Sequence, residues 1–153
     1  MGTRYKGARG EVRALNAFIN LVRAAESVVG RLTPVMDEAG LTVSQFGALE
    51  TLFHLGPMCQ RELGAKLLKT GGNITMVVNN LERRGLVTRL RSGEDRRRVT
   101  VRLTGKGGRL IARVFPVVLA GIVREMGLLG PAEQEELRRL CRIVGKRERT
   151  IGN

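Results

Sequence analysis

The chain has 153 residues, of which 42% are hydrophobic and 27% are charged, values that exclude a disordered chain and a membrane protein. No apolar run is long enough to cross a bilayer, and the polar, basic segment from Met1 to Arg13 lacks the apolar core of a signal peptide, so we expect a cytoplasmic protein with no membrane partner. The net charge of +13 suits a polyanionic partner, and it equally suits a protein from a GC-rich genome in which arginine is common. The two distant cysteines, Cys59 and Cys141, exclude a disulfide scaffold and a thiolate zinc site.

The first predicted element is a long helix over residues 10–39. Positions spaced alternately three and four apart are all apolar or small, which favours packing against another helix. This seam consists of Leu15, Phe18, Val22, Ala25, Val29, Leu32 and Met36. Pro34 predicts a kink or an early end, and Gly40 predicts a stop.

A second helix is predicted to follow Thr42, because Thr42 and Gln45 have the spacing of a capping box. Leu41 and Phe46 are spaced as a hydrophobic staple around that cap, and Gly56 ends the helix.

Two shorter helices are predicted next. One opens at Cys59 or Gln60, the other runs from Asn73 to Arg84, and a turn over residues 69–72 separates them. A short helix, a tight turn with glycine and a second helix together make a helix-turn-helix.

A hairpin follows, with strands over Val87–Arg91 and Val99–Leu103. The second strand alternates strictly between apolar and polar residues, and the loop over 92–98 contains three consecutive arginines. A hairpin with a basic tip is typical of a wing. Two more helices are predicted, over 104–126 and from Pro131 onward.

The positive charge is concentrated in one part of the chain. Residues 60–109 contain thirteen basic and four acidic residues, so about a third of the chain carries nine of the thirteen excess charges. Such a concentration is the electrostatic pattern expected of a surface that binds phosphates.

The order of these elements and a set of short motifs resemble the MarR family of bacterial regulators. The motifs are Leu41-Thr42-x-x-Gln45-Phe46, Gly56-Pro57, Arg61-Glu62-Leu63-Gly64, Gly72-Asn73-Ile74-Thr75, Leu81-Glu82-Arg83-Arg84-Gly85-Leu86-Val87, Asp95-Arg96-Arg97 and Leu103-Thr104-x-x-Gly107. The resemblance implies a mainly α fold with a small β-hairpin, in one domain of residues 1–153. A winged helix-turn-helix lobe over 41–103 would be carried by dimerisation helices over 10–40 and 104–148.

The resemblance and the residue types together predict a surface that reads DNA. The helix over 73–84 would lie in the major groove, where asparagine can bind adenine with two hydrogen bonds, and the tip over 92–98 would enter the minor groove. The predicted contacts are Gln60, Arg61, Lys69, Thr70, Asn73, Thr75, Met76, Asn79, Asn80, Arg83, Arg96 and Arg97. The same polar residues also suit a solvated helix face and a solvated turn, and that alternative stays open. The family further suggests that Asp95 holds a neighbouring arginine in position.

Three positions depart from the family pattern. Met76 and Asn80 stand where many members carry arginine, so the base preference of the family does not carry over. Cys59 stands where serine or threonine would cap the short helix, and a thiol is a weak cap.

The resemblance implies a homodimeric transcriptional regulator that binds double-stranded DNA at a near-palindromic operator. Repression is the common mode in the family, and it is often relieved by a small aromatic or anionic effector bound between the dimerisation helices and the DNA-binding lobe. No cofactor or metal is expected.

Two other functions stay open. One is redox sensing through Cys59 or Cys141, although a buried structural role is favoured for Cys141. The other is binding of nucleic acid without sequence preference. Single-strand binders need aromatic platforms, whereas the chain is 3% aromatic. Its four phenylalanines are expected in the core; they are Phe18, Phe46, Phe53 and Phe115.

An enzyme is not expected. His54 is the only histidine, and neither His54 with Cys59 nor Ser92 with Asp95 has the spacing of a nucleophile and its base.

Overall fold

The computed structural model describes residues 3–67, 71–91 and 99–146. The elements in chain order are α1 (Arg9–Glu38), α2 (Val43–Leu55), β1 (Met58–Cys59), α3 (Gln60–Lys66), α4 (Gly71–Arg83), β2 (Val87–Arg91), β3 (Val99–Leu103), α5 (Gly105–Met126) and α6 (Pro131–Lys146). The mainly α fold with a small antiparallel hairpin is confirmed. The chain forms two compact units, with the boundary after Val118.

Two glycines with positive φ end α1 and α4. Gly40 follows α1 with φ +68°, and Gly85 follows α4 with the same φ. After α4, the N–H of Leu86 donates to the carbonyl of Leu81 (2.9 Å) and the N–H of Gly85 to the carbonyl of Glu82 (2.8 Å). This is the Schellman pattern, which needs a residue that tolerates positive φ. The predicted stop at Gly40 is therefore confirmed, and Gly85 ends α4 in the same way.

The start of α2 is the predicted capping box. The hydroxyl of Thr42 accepts from the N–H of Gln45 (3.2 Å), and the side-chain oxygen of Gln45 accepts from the N–H of Thr42 (3.1 Å). Leu41 and Phe46 on either side of the cap are both buried.

The helix-turn-helix is present, but its second helix starts earlier than predicted. α4 begins at Gly71 rather than Asn73. The hydroxyl of Thr75 donates to the carbonyl of Gly71 (2.8 Å), which stabilises this first turn. Two adjacent glycines are poor helix formers, so the sequence pattern favoured a turn where the structure continues the helix.

The sheet has three strands in the order β1-β3-β2, all antiparallel. β2 pairs with β3 from Val87 opposite Leu103 to Arg91 opposite Val99, as the hairpin prediction requires. β1 was not predicted. It has only two residues, and Met58 pairs with Val101.

The core of the first unit lies between α2, α3, α4 and the sheet. Residues that are at most 1% exposed include Leu49, Leu63, Val78, Leu81, Val101 and Ile111. This core fixes the depth at which α4 sits, because the helix buries one face completely.

The start of α5 fits tightly against the end of α4. The hydroxyl of Thr104 accepts from the N–H of Gly107 (3.0 Å) and donates to the carbonyl of Gly85 (2.7 Å). A Cβ on Gly107 would stand 1.9 Å from the carbonyl oxygen of Leu86. The motif Leu103-Thr104-x-x-Gly107 therefore joins the wing to α5 with almost no free space.

Long apolar stripes remain uncovered in the single chain. On α1 only Leu32 and Met36 are buried, and the helix runs through Pro34 to Glu38. Phe18 is 63% exposed and Phe53 is 42% exposed, so the prediction that both lie in the core is wrong for the single chain, whereas Phe46 is buried.

In the second unit, α6 has no buried residue. Leu140 and Val144 on this helix are exposed, and so is Cys141. The prediction that Cys141 is buried is wrong for the single chain, since it assumed a covered apolar face.

Candidate nucleic-acid interface

One side of α4 is a polar surface directed away from the core. Ile74, Val77, Val78 and Leu81 are buried on the opposite side. The exposed residues of the helix include five of the predicted contacts, namely Asn73, Thr75, Met76, Asn79 and Arg83. Their spacing follows the helical repeat, so the face that the sequence predicts as the reader is available to a partner.

An arginine that sequence reasoning missed lies behind this face. Arg89 of β2 donates from Nη2 to Oδ1 of Asn79 (2.6 Å) and from Nε to Oε1 of Gln60 (3.1 Å). Its Nη1 forms an ion pair with Glu82 (2.9 Å). Arg89 thus ties the wing strand to α3 and α4 at once.

Gln60 and Thr75 belong to the same network. Nε2 of Gln60 donates to the hydroxyl of Thr75 (3.0 Å), whose own proton goes to the carbonyl of Gly71. Three predicted contacts, Gln60, Thr75 and Asn79, are therefore held together through Arg89. Arg89 lies two residues beyond the motif that ends at Leu86-Val87, so no predicted motif included it.

Asn80 and Arg83 form a second pair on the same helix. The guanidinium of Arg83 donates to Oδ1 of Asn80, and Asn80 is half-buried rather than fully outward. On α3, Arg61 is exposed. Four further predicted contacts, Lys69, Thr70, Arg96 and Arg97, lie outside the described residues, as does the whole of the predicted tip over 92–98.

A basic hollow of about 440 Å³ lies between the residues that follow α4 and the first turns of α5. It is lined by Ala39, Arg84, Leu86, Lys106, Arg109, Leu110 and Arg113. Arg84 is anchored because its Nη1 donates to the carbonyl of Gly40 (2.7 Å), and Nζ of Lys106 donates to the carbonyl of Arg84 (2.9 Å). The lining contains four cations and no acid, so its potential is strongly positive.

Neither a metal site nor a membrane span is present within residues 3–67, 71–91 and 99–146. No group of three or more side chains there could hold a metal ion, and no helix is long and apolar enough to cross a membrane.

Comparison with known proteins agrees with this geometry. The model of the MarR family matches residues 41–99. The HTH-type transcriptional regulator YkoM of Bacillus subtilis is 33% identical over 87% of this chain and 86% of its own length. The HTH-type transcriptional regulator MhqR of the same organism is 32% identical over 92% of this chain and 97% of its own.

A solved structure extends the likeness to the fold. The crystal structure of NadR in complex with 4-hydroxyphenylacetate superposes with a TM-score of 0.75 at 26% identity, covering 97% of this chain and all of the other. The ordered motifs, the exposed face of α4 and the relatives that match nearly the whole chain lead to one conclusion. The chain belongs to the MarR family of DNA-binding transcriptional regulators.

Proposed function

We propose that the chain is a dimeric repressor that reads a near-palindromic operator with α4 in the major groove and the segment over 92–98 in the minor groove. The observation that carries this proposal is the division of α4 into a fully buried apolar face and an exposed face of amide, hydroxyl and arginine side chains. Those groups match the donor and acceptor code of base edges.

The phosphate contacts are assigned to the ends of the helices and to the wing. Arg61 is exposed near the start of α3, beside Gln60. Together with Lys69, Thr70, Arg96 and Arg97 these residues supply cationic and polar groups suited to backbone oxygens. Asn73, Thr75, Met76, Asn79, Asn80 and Arg83 are assigned to the base edges or the adjacent backbone.

Dimerisation is supported by the apolar stripes that the single chain leaves exposed. On α1, Phe18 and Val29 are 63% and 41% exposed. On α5 and α6, Val123 and Val144 are 62% and 63% exposed. A monomer rarely leaves such stripes in water, whereas a second copy related by a two-fold axis would cover them.

The experiment that tests sequence-specific reading is a competition between duplexes at fixed salt. We expect a duplex selected by the protein to bind at least about a thousandfold more tightly than a shuffled duplex of the same length. Equal affinity for both would contradict the proposal and favour binding of nucleic acid without sequence preference.

We also propose that a small aromatic carboxylate relieves repression by binding in the basic hollow. NadR was crystallised with 4-hydroxyphenylacetate, a molecule of that class. Here Arg109 and Arg113 lie one helical turn apart in the hollow, exposed and without an acidic partner among the described residues. A bound carboxylate would connect α5 to Arg84 at the end of α4, and so change how the two reading helices are spaced.

The effector proposal is tested by titrating 4-hydroxyphenylacetate while operator binding is followed by fluorescence anisotropy. We expect the ligand to weaken operator binding, and the double variant Arg109→Gln/Arg113→Gln to raise the concentration required at least about tenfold. The matched control is Arg138→Gln/Arg142→Gln, which removes the same charge at the same spacing on α6. An unchanged response in the variant Arg109→Gln/Arg113→Gln would contradict the proposal that the effector binds in the hollow.

The proposal contains no catalytic step and places the protein in the cytoplasm, where the DNA of a bacterial cell is found. Redox sensing through Cys59 or Cys141 is not part of it.

A further inference from the structure

The amide of Asn79 has a fixed direction in this structure. Nη2 of Arg89 is a donor and lies 2.6 Å from the side chain of Asn79, so the atom that faces it must be the amide oxygen, which accepts. The amide nitrogen of Asn79, which can only donate, is therefore the atom left for an outside partner. Asn79 itself is exposed.

Arg89 is held firmly enough to impose that direction. Glu82 accepts twice, from the backbone N–H of Arg89 (3.1 Å) and from its Nη1 (2.9 Å). Oε1 of Gln60 accepts from Nε (3.1 Å). The side chain of Arg89 is only 22% exposed. Its guanidinium is held on several sides by charge-assisted hydrogen bonds.

The direction of the amide decides which base Asn79 can read. An asparagine that binds adenine with two hydrogen bonds needs its oxygen for N6 and its nitrogen for N7. Where the oxygen is turned to Arg89, the nitrogen that remains can only donate. Guanine presents two adjacent acceptors to it, N7 and O6, whereas adenine presents N7 beside the N6 donor and thymine presents O4 alone.

We propose that Arg89 is a positioning residue that makes Asn79 a donor-only reader, so that the operator base opposite Asn79 is guanine and adenine is disfavoured. This inference rests on the proposed function, in which α4 occupies the major groove. It goes beyond that function by assigning base preference to a residue that lies on the wing strand and does not itself face the bases.

The test is selection of bound duplexes from a random pool, run in parallel with the wild type and with variants. Asn79→Ala identifies the operator position that depends on Asn79, because that position alone should lose its preference. At that position we expect the wild type to disfavour adenine by about tenfold relative to guanine.

The decisive variant is Arg89→Lys. A lysine can keep the ion pair with Glu82 but cannot hold Gln60 and Asn79 at the same time, so the amide of Asn79 is free to turn. We expect adenine to come within about threefold of guanine, while positions that depend on neither Asn79 nor Gln60 stay unchanged. Arg138→Lys on α6, whose arginine is paired with Glu135, is the matched control and should leave every position unchanged.

Thermal unfolding of each variant separates lost folding from lost positioning. Should Arg89→Lys fail to fold, Glu82→Gln loosens the same arginine while preserving its shape, and the expected shift toward adenine is in the same direction.

Three results overturn the inference: adenine preferred by the wild type at the position that depends on Asn79, no position that depends on Asn79, or an unchanged preference in a folded Arg89 or Glu82 variant. Each of these leaves the proposed function intact, because the wild type still selects a motif. Failure of the wild type to enrich any motif would instead reject the proposed function, and this inference with it.

Discussion

At the scale of single residues, the outward face of α4 contains two asparagines that are hydrogen-bonded to arginines and one apolar side chain, Met76. Oxygens of Asn79 and Asn80 accept from arginines, whereas Met76 is 59% exposed and offers only apolar contact. A thioether in the major groove can contact the methyl group of thymine but carries no strong hydrogen-bonding group. Base discrimination on this helix therefore depends on few side chains, and on how neighbouring arginines orient them.

The outward residues could be predicted from sequence, since the helical repeat separates them from Ile74, Val77 and Leu81. Arg89 could not. It lies ten residues from Asn79 on a strand, and its partners come from α3 and α4, so its role depends on how these elements pack. Periodicity describes one element at a time and carries no information about that packing.

A prediction at this scale concerns Arg97, which is assigned to the DNA. Arg97→Ala should weaken binding to many duplexes alike, because it removes a cation without removing a base contact. The slope of log affinity against log salt concentration should fall by about one. Titrations at several salt concentrations measure both quantities, with Arg138→Ala as the control. An unchanged slope would place Arg97 away from the DNA.

At the scale of elements, the helices and the hairpin could be predicted because caps, glycine stops and alternation are local signals. Two features were not predictable in this way. β1 has only two residues and exists because Met58 can pair with Val101, a partner far along the chain. The early start of α4 depends on the hydroxyl of Thr75 bonding to Gly71, which offsets the low helix propensity of two glycines.

The tight junction between α4 and α5 gives the prediction at this scale. Gly107→Ala should destabilise the fold by about 1–3 kcal/mol, because the new methyl group would overlap the carbonyl of Leu86 and force the helix away. Chemical denaturation measures the free energy of unfolding. Gly108→Ala is the matched control, since a Cβ on Gly108 meets nothing within 4 Å, and it should be neutral or slightly stabilising. Equal effects of the two substitutions would contradict the close approach.

At the scale of the whole molecule, the exposed apolar stripes are explained only by an assembly. The sequence pattern marks the seam on α1 as buried, and the single chain buries no more than its last part, at Leu32 and Met36. The same reasoning failed for Phe18 and Cys141. Periodicity identifies an apolar face, but it does not tell whether the chain itself or a second copy covers that face.

The substitution Phe18→Asp tests whether the apolar seam of α1 lies in the dimer interface. A carboxylate in the first half of the α1 seam would be buried without a partner in a dimer, so we expect the dimer to dissociate at concentrations where the wild type is fully dimeric. Sedimentation velocity measures the species present. Asn20→Asp adds the same charge two positions along, on the opposite side of the helix, and should leave the dimer intact. A dimer in both variants would exclude this seam from the interface.

The claim on which the other proposals depend is that a dimer reads duplex DNA by sequence. The most direct measurement is selection of bound duplexes from a random pool, followed by determination of the number of chains on the enriched duplex. We predict a motif with two-fold symmetry, half-sites about one helical turn apart, and two chains on each duplex. No enriched motif, or a motif without symmetry bound by one chain, would contradict the account.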